Sequence, residues 1–308
     1  MFREQIKQAI SEKKYLQICG QQSKVKFNPE FEYCNVSEYQ GIIDYQPAEL
    51  VITVKAGTPL SEINAVLAEN NQYLPFEPPD YGNSSIGGSY ACGLSGSSQP
   101  FQGGLRDYVL GIVIYNGKGE RLTFGGQMMK NVAGFDVSRL LVGSKGEFAL
   151  IAEISFKVLP FAPQQTYALD LPEAEAIQLM NQWAGTNRPL SACGYFNDTF
   201  YYRLSGSHQA QTALPVDNQI WQTLNPFRCS LAPNETLWRL SVDSTEAPIE
   251  NTIAIDWRGV RRWVKAVEAP PFRFISAWQG VQAQTPPLND LAKKLKPVFD
   301  PYSIFKVN

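Results

Sequence analysis

From residue 84 to residue 104 the chain reads SSIGGSYACGLSGSSQPFQGG, a stretch dominated by glycine, serine and alanine. So few large side chains cannot build a core of their own. The segment must pack closely on another element or lie against a ligand. It is one of four small-residue groups in the first half of the sequence. The others are the turn Gly20-Gln21-Gln22-Ser23-Lys24, the run QGGLRDYVLG, and MKNVAGFD with VGSKGEF. A diphosphate needs several backbone N–H groups converging on it, and glycine lets the main chain approach without a clashing Cβ. IGGSYACGLSG also spaces small residues three or four apart, so on a helix they form a face where a flat ring or extended ligand can rest. Ordinary turns and close helix–strand packing are the competing explanation for each group taken singly. No GxGxxG follows a strand and no GxxxxGK[ST] occurs, which disfavours Rossmann and P-loop nucleotide sites.

Around these groups the pattern is mixed α and β. YLQIC, GIIDYQ and LVITVKA read as strands rich in β-branched residues. A helix follows, with Thr58 as N-cap, Pro59 at the first helical position, and Leu60, Ile63 and Leu67 on one face. VLGIVIY, the turn NGKG and RLTF form a hairpin, and FALIAEISFKVLP is a long strand. FREQIKQAISEKK is an amphipathic helix with Phe2, Ile6 and Ile10 on one face. Beyond Pro160 come the helix PEAEAIQLMNQWAG, the aromatic strand GYFNDTFYYRLSG, a weakly patterned middle, and a terminal helix and turn in LNDLAKKLKPVFDPYSIF. The division expected is 1–162, an α+β unit at 163–280, and a tail at 281–308 that returns to the first domain.

Composition narrows the chemistry. A net charge of −2 argues against nucleic acid, which demands a concentrated basic field. Arg258, Arg261, Arg262 and Lys265 read as a solvated helix face, with a docking patch as the alternative. The charged share of 18% lies below the usual quarter, consistent with a large interior or with surface hidden against a partner. Five scattered cysteines form no CxxC, so no zinc or iron–sulfur cluster is expected here, and their odd number suits a reduced cytoplasmic protein. No secretory signal opens the sequence, and no apolar run approaches the roughly 20 residues that span a bilayer. The single histidine, His208, sits in a polar stretch. Histidine is the commonest general base near neutral pH, so chemistry must come from a cofactor or another chain. No residue is assigned a catalytic role.

GIIDYQPAELVITVKAGTPLSEINAVLAENNQYLPFEPP, IGGSYACGLSGSSQPFQGGLRDYVLG, FGGQMMKNVAGFDVSRLLVGSKGEFALIAEISFKVLP and the terminal KPVFDPYSIF occur in that order. Together they resemble the FAD-binding subunits of glycolate oxidase, in the vanillyl-alcohol-oxidase/PCMH flavoprotein superfamily. The resemblance is dense over residues 1–162 and continues in islands such as CGYFND, TLWRLS and IDWRGVRRW. It implies an α+β, PCMH-type FAD-binding fold of two α/β lobes with a further α+β cap-like lobe. It also implies a complex with a paralogous flavin subunit and an iron–sulfur subunit. That complex oxidises glycolate, or D-lactate, to the 2-keto acid in glyoxylate metabolism, and touches a membrane only through other subunits.

By position, the resemblance gives Gly20, Gln21, Gln22, Ser23 and Lys24 to the diphosphate loop. Ile86, Gly87, Gly88, Ala91, Cys92, Gly93, Ser95 and Gly96 lie along the diphosphate and ribityl chain. Gly143, Gly146 and Ile151 sit near adenine and ribityl, and Pro78 and Pro79 at the turn entering the flavin site. Arg106 and Asp107 join the same cofactor-binding set, with Arg106 or Arg203 available for a substrate carboxylate. Gln21 and Gln22 stand where relatives are richer in glycine, Ala149 replaces a frequent glycine, and the tail ends FKVN. Covalent attachment in the superfamily commonly uses histidine or cysteine near the first loop or the GG segment. No histidine is there, and although Cys19 and Cys92 do lie there, Cys92 reads as packing in a small-residue face, so FAD is expected to be noncovalent. No base for a hydroxy acid is evident, so electron transfer or assembly is expected, with the paralogous subunit oxidising the substrate. The alternatives are a self-sufficient hydroxy-acid or alcohol oxidoreductase, and a scaffold subunit that has lost FAD.

Overall fold

In the computed structural model, which describes residues 1–23, 28–126, 136–206, 213–224, 229–280 and 288–307, the apolar run Leu150–Lys157 lies at the centre of a sheet. The chain forms two units. The first comprises Met1–Ser95, Gly104–Phe161 and Pro287–Asn308; the second comprises Gly96–Gly103 and Ala162–Pro286. Residues 96–103, kept with the first domain in the sequence reading, thus belong to the second unit.

The first unit runs α1 (Phe2–Glu12), β1 (Leu16–Cys19), β2 (Glu32–Asn35), β3 (Ile42–Gln46), β4 (Val51–Lys55), α2 (Leu60–Ala68), β5 (Gln72–Tyr73) and α3 (Ile86–Cys92). After α4 (Gln99–Gln102), which belongs to the second unit, come α5 (Leu105–Tyr108), β6 (Val109–Tyr115), β7 (Arg121–Gly125), α6 (Val137–Leu140), β8 (Leu150–Lys157) and β9 (Leu159–Pro160). Five antiparallel strands stand in the order β3-β4-β8-β6-β7. Ile52, Val54, Ile154 and Phe156 of the sheet pack with Leu60, Ile63 and Leu67 of α2 and with Ile86 and Tyr90 of α3. The 109–125 hairpin forms as expected, its turn held by Asn116, whose Oδ1 accepts from the Lys118 and Glu120 amides. Thr58 does not cap α2. Pro59 is the N-cap, and the Thr58 hydroxyl donates to Lys55 O and accepts from the Gly41 amide.

β1 pairs in parallel with β2, and Leu16 forms a further parallel bridge with Phe305. Phe2, Ile6 and Ala9 of α1 bury against Leu16, Cys34 and Phe305. The terminal helix Asp290–Phe299 is capped by Asn289, whose Oδ1 accepts from the Ala292 amide. The tail beyond it therefore supplies an edge partner to the strand that leads into the Gly20 turn.

The second unit is an eight-stranded antiparallel sheet in the order β13-β10-β12-β11-β15-β16-β14-β17. Its strands are β10 (Gln164–Asp170), β11 (Leu190–Phe196), β12 (Thr199–Ser205), β13 (Leu214–Val216), β14 (Thr236–Ser241), β15 (Thr252–Asp256), β16 (Arg261–Ala266) and β17 (Ile275–Gly280). Helix α7 (Glu173–Ala184) buries Ala176, Ile177 and Met180 against Tyr167, Phe200 and Tyr202; α8 (Ile220–Leu224) contributes Trp221 and Leu224 to a second cluster. Two expectations are corrected here. The aromatic stretch is a hairpin, β11–β12, because Asn197 and Asp198 both take left-handed φ, 48° and 56°, as a two-residue reversal requires. Arg261, Arg262 and Lys265 lie on the strand β16, and Arg258 in the turn before it, rather than on a solvated helix face. Arg261 is buried against Asp256, and the fully buried Arg262 donates to the carbonyls of Gly259 and Glu246. His208 lies outside the described residues. Among them, no helix is long and apolar enough to cross a membrane.

Candidate functional site

Three of the four small-residue groups named for a ligand, the Gly20 turn, the segment from Ser85 to Cys92 and VGSKGEF, meet in one cavity of the first unit, and all of MKNVAGFD except Asp136 lies outside the described residues. The cavity wall is the end of β1 and the following turn, Ile18 to Ser23, with Val36 and Ala56 behind. Ser85, Gly87, Gly88, Ala91 and Cys92 of α3 and its cap face this wall, with Lys145, Gly146, Ala149 and Ile151 from the turn before β8 and the strand itself. The cavity encloses about 90 Å³. That is well below the ~300 Å³ of a whole drug-sized ligand, so it suits the middle of an extended molecule rather than its ring systems.

Local backbone explains the shape. Ser85 caps α3, its Oγ accepting from the Gly88 amide at 3.2 Å, and Gly93 ends the helix at φ 62°. The amides of Ile86 and Gly87 donate to Thr58 O at 3.0 Å and Ala56 O at 2.8 Å, which fastens the helix start to the end of β4. A Cβ on Gly87 would stand 2.6 Å from both the Ala56 Cβ and its carbonyl oxygen, so this glycine is required by packing. Lys145 and Gly146 are consecutive left-handed residues, at φ 54° and 85°. The Lys145 amide donates to Ala91 O at 2.7 Å, tying this turn to α3.

Gln22 holds a left-handed φ of 53°, with its side-chain amide donating to the Tyr33 hydroxyl. The glycine-like geometry of the loop is thus kept by a residue that resists it, at a cost of about 1 kcal/mol. Gln22→Gly is expected to raise stability by roughly that amount, read as a higher denaturant midpoint.

Of the residues singled out from sequence, Gly20, Gln21, Gln22, Ser23, Gly87, Gly88, Ala91, Cys92, Gly146 and Ile151 line the cavity. Others stand apart from it. Ser95 Oγ accepts from the Leu105 amide, Asp107 caps α5 through Gly104, and Arg106 is exposed. Gly143 donates its amide to Tyr90 O, Gly93 caps α3, Ile86 is buried in the core, and Gly96 accepts from Trp257 in the second unit. Pro78 and Pro79 are not in the lining, and Lys24 lies outside the described residues. Arg203 is buried, donating to Ser191 Oγ at 2.9 Å. The sequence reading missed Lys145, the one charged side chain among the described lining residues. Its signal was available: a cation between Gly143 and Gly146.

Residues 20–125 match the FAD binding domain family. From end to end, the chain is similar to glycolate oxidase subunit GlcE of Escherichia coli (strain K12). They are 37% identical over 334 residues, covering 98% of this chain and 94% of that protein. The chain belongs to the GlcE family. Shorter matches join this GlcE-family chain to glycolate oxidase subunit GlcD of Bacillus subtilis (strain 168), 29% identical over 39% of this chain and 25% of that one. D-2-hydroxyglutarate dehydrogenase of Xanthomonas citri pv. viticola is 27% identical over 51% and 33%. A solved alkyldihydroxyacetonephosphate synthase superimposes with a TM-score of 0.67 over 98% of this chain and 73% of its own, at 13% identity, and shows the fold alone. The expected α+β, PCMH-type FAD-binding fold is therefore borne out, and the GlcE-family chain is an FAD-linked oxidoreductase subunit.

Proposed function

We propose that this chain holds FAD noncovalently as a subunit of a glycolate oxidase complex, beside a paralogous flavin subunit and an iron–sulfur subunit. The complex oxidises glycolate or D-lactate, and this chain serves electron transfer or assembly. The carrying observation is the cavity between the β1 turn and α3, which falls largely within the stretch that matches the FAD binding domain.

The residues present fit that cofactor. Gly88, Ala91 and Cys92 give a face of small side chains, and Gln21, Gln22, Ser23 and Lys145 supply polar groups opposite. The first amides of α3 are already committed to Thr58, Ala56 and Ser85, so the diphosphate falls to the β1 turn and the Lys145 ammonium. When bound, FAD supplies two-electron transfer. The protein's part is to hold and orient it. Lys145→Met is expected to weaken FAD binding by about tenfold, one charge-assisted contact, and to flatten its salt dependence. Equilibrium titration at two ionic strengths reads both, and unchanged affinity and slope would move the diphosphate away from Lys145.

Burial pushes the Cys19 thiol up to about 11, which leaves little thiolate for attack on a flavin. The lining contains no Asp, Glu or His among the described residues, so no proton acceptor for a hydroxy acid stands there. Five free cysteines suit a reducing cytoplasm, with any membrane contact made through other subunits.

The deciding experiment is the visible spectrum of the purified chain, repeated on the supernatant after acid precipitation. A flavin band that moves into the supernatant is expected. A colourless chain that also refuses added FAD would favour a scaffold, and glycolate turnover by the isolated chain would favour a self-sufficient oxidase.

A further inference from the structure

In the second unit, a cavity of about 400 Å³ is lined by Gln99 and Pro100 of α4, Asn181 and Ala184 of α7, Ser244, and Trp257, Arg258 and Val260 of the turn between β15 and β16. We propose that this cavity binds a small organic carboxylate against the Arg258 guanidinium. The inference stands independently of the flavin reading.

Four observations carry it. First, Arg258 is partly buried and lines the cavity, and among the described residues its Nε has no hydrogen-bond partner. The Phe101 ring, 4.5 Å from the Arg258 Cζ, attracts the cation through its face without satisfying the in-plane N–H donors. Second, the acid nearest in sequence is spent. Asp256 is engaged by Arg261, whose Nε donates to Oδ1 at 2.5 Å, and among the described residues no carboxylate forms an ion pair with Arg258.

Third, the backbone here is strained and over-determined. Trp257 and Arg258 are consecutive non-glycine residues at φ 51° and 58°. The turn is held there by Trp257 Nε1 donating to Gly96 O at 2.9 Å and Val260 N donating to Trp257 O at 3.2 Å. Gly259 follows at φ 88°, with room for no Cβ because Ser244 O would be 2.5 Å away. Strain that surrounding contacts enforce in this way is a feature of ligand-binding sites. Fourth, the remaining lining selects the ligand. Asn181 and Ser244 are occupied with each other, through Ser244 Oγ to Asn181 Oδ1 at 2.6 Å and Asn181 Nδ2 to Ser244 O at 2.8 Å. The Gln99 carboxamide is left as a neutral donor, among the apolar surfaces of Pro100, Ala184, Trp257 and Val260. A guanidinium fork, one amide and apolar walls suit an organic carboxylate better than a bare inorganic anion.

Ligand-observed NMR on the purified chain tests this with glycolate, acetate and inorganic phosphate as probes and chloride at matched ionic strength as the blank. Saturable binding of glycolate and acetate is expected, weakened about tenfold or more in Arg258→Gln and less in Arg258→Lys, which keeps the charge but not the fork. Gln99→Leu, which leaves the strained turn untouched, is expected to weaken binding several-fold and guards against a misfolded Arg258 variant. FAD content should stay at the wild-type level in all three. No saturable carboxylate binding, equal binding by Arg258→Gln, or phosphate binding as tightly as glycolate would each overturn the proposal.

Discussion

Asp300→Ala is expected to lower the unfolding midpoint of the first unit by roughly 10 °C and to release its flavin, because it breaks a buried charge pair worth about 3–5 kcal/mol. Asp300 is fully buried, just past the terminal helix. Its two carboxylate oxygens accept from the amides of Ile304 and Phe305 at 3.1 and 2.9 Å, and Oδ2 pairs with Lys296 Nζ at 2.9 Å. The same ammonium reaches Phe305 O at 2.7 Å and Glu147 Oε1 at 3.1 Å. Without the carboxylate, two amides lose their acceptor and a cation loses a partner inside the protein. Gly117 is part of the device, since a Cβ there would strike Asp300.

The effect on flavin follows from connectivity. Ile304 O and Lys306 N bond to Leu16, so the tail is the edge partner of β1, and β1 ends in the Gly20 turn. Glu147 directly follows Gly146 of the opposite wall. Lys296 and Asp300 therefore hold two walls of one cavity. Differential scanning calorimetry with flavin content measured in parallel checks this. A variant within about 2 °C of wild type, its flavin intact, would show that the pair contributes less than 1 kcal/mol.

That device was not legible in the sequence, although the residues were. KPVFDPYSIF was recognised as a motif and its Lys296 and Asp300 stand at i,i+4, but nothing local says that this pair is buried, that it reaches Glu147 or that Phe305 pairs with Leu16. Long-range pairing leaves no periodic trace. Local signals fared better. The 109–125 hairpin followed from β-branched runs flanking NGKG, α1 from the spacing of Phe2 and Ile6, and a small-residue helix face from IGGSYACGLSG, although not the stop of that helix at Cys92. Thr58 misled because a threonine before a proline reads as a cap, whereas its hydroxyl closes a turn with Lys55 and Gly41. The arginine-rich stretch misled because charge reads as exposure. Asp256 pairs with Arg261 inside the sheet, and the carbonyls of Gly259 and Glu246, with the Glu173 carboxylate at 3.6 Å, hold Arg262, none of which is visible in the sequence. The glycines were legible as a group but not individually. In one helix, Gly87 serves packing and Gly88 faces the cavity, and only tertiary structure separates them.

That separation makes a paired test. Gly88→Val is expected to keep the fold and lose FAD by ~100-fold or more in Kd, about 3 kcal/mol of steric conflict. Gly88 lines the cavity and is the one partly exposed residue of Ile86–Tyr90, the others being buried. Valine is no worse than glycine in a helix, so secondary structure gives no reason for the variant to unfold. Gly87→Val reverses the pattern. Its Cβ would collide with Ala56 backbone and side chain at 2.6 Å, prising α3 off β4, so stability falls by about 3 kcal/mol and flavin is lost only as a consequence. Thermal midpoints and flavin-to-protein ratios, measured on both variants, separate the two outcomes. Gly88→Val purifying with stoichiometric FAD would move the cofactor out of this cavity. Equal destabilisation by both would mean that α3 is a packing helix throughout, with the ligand face elsewhere.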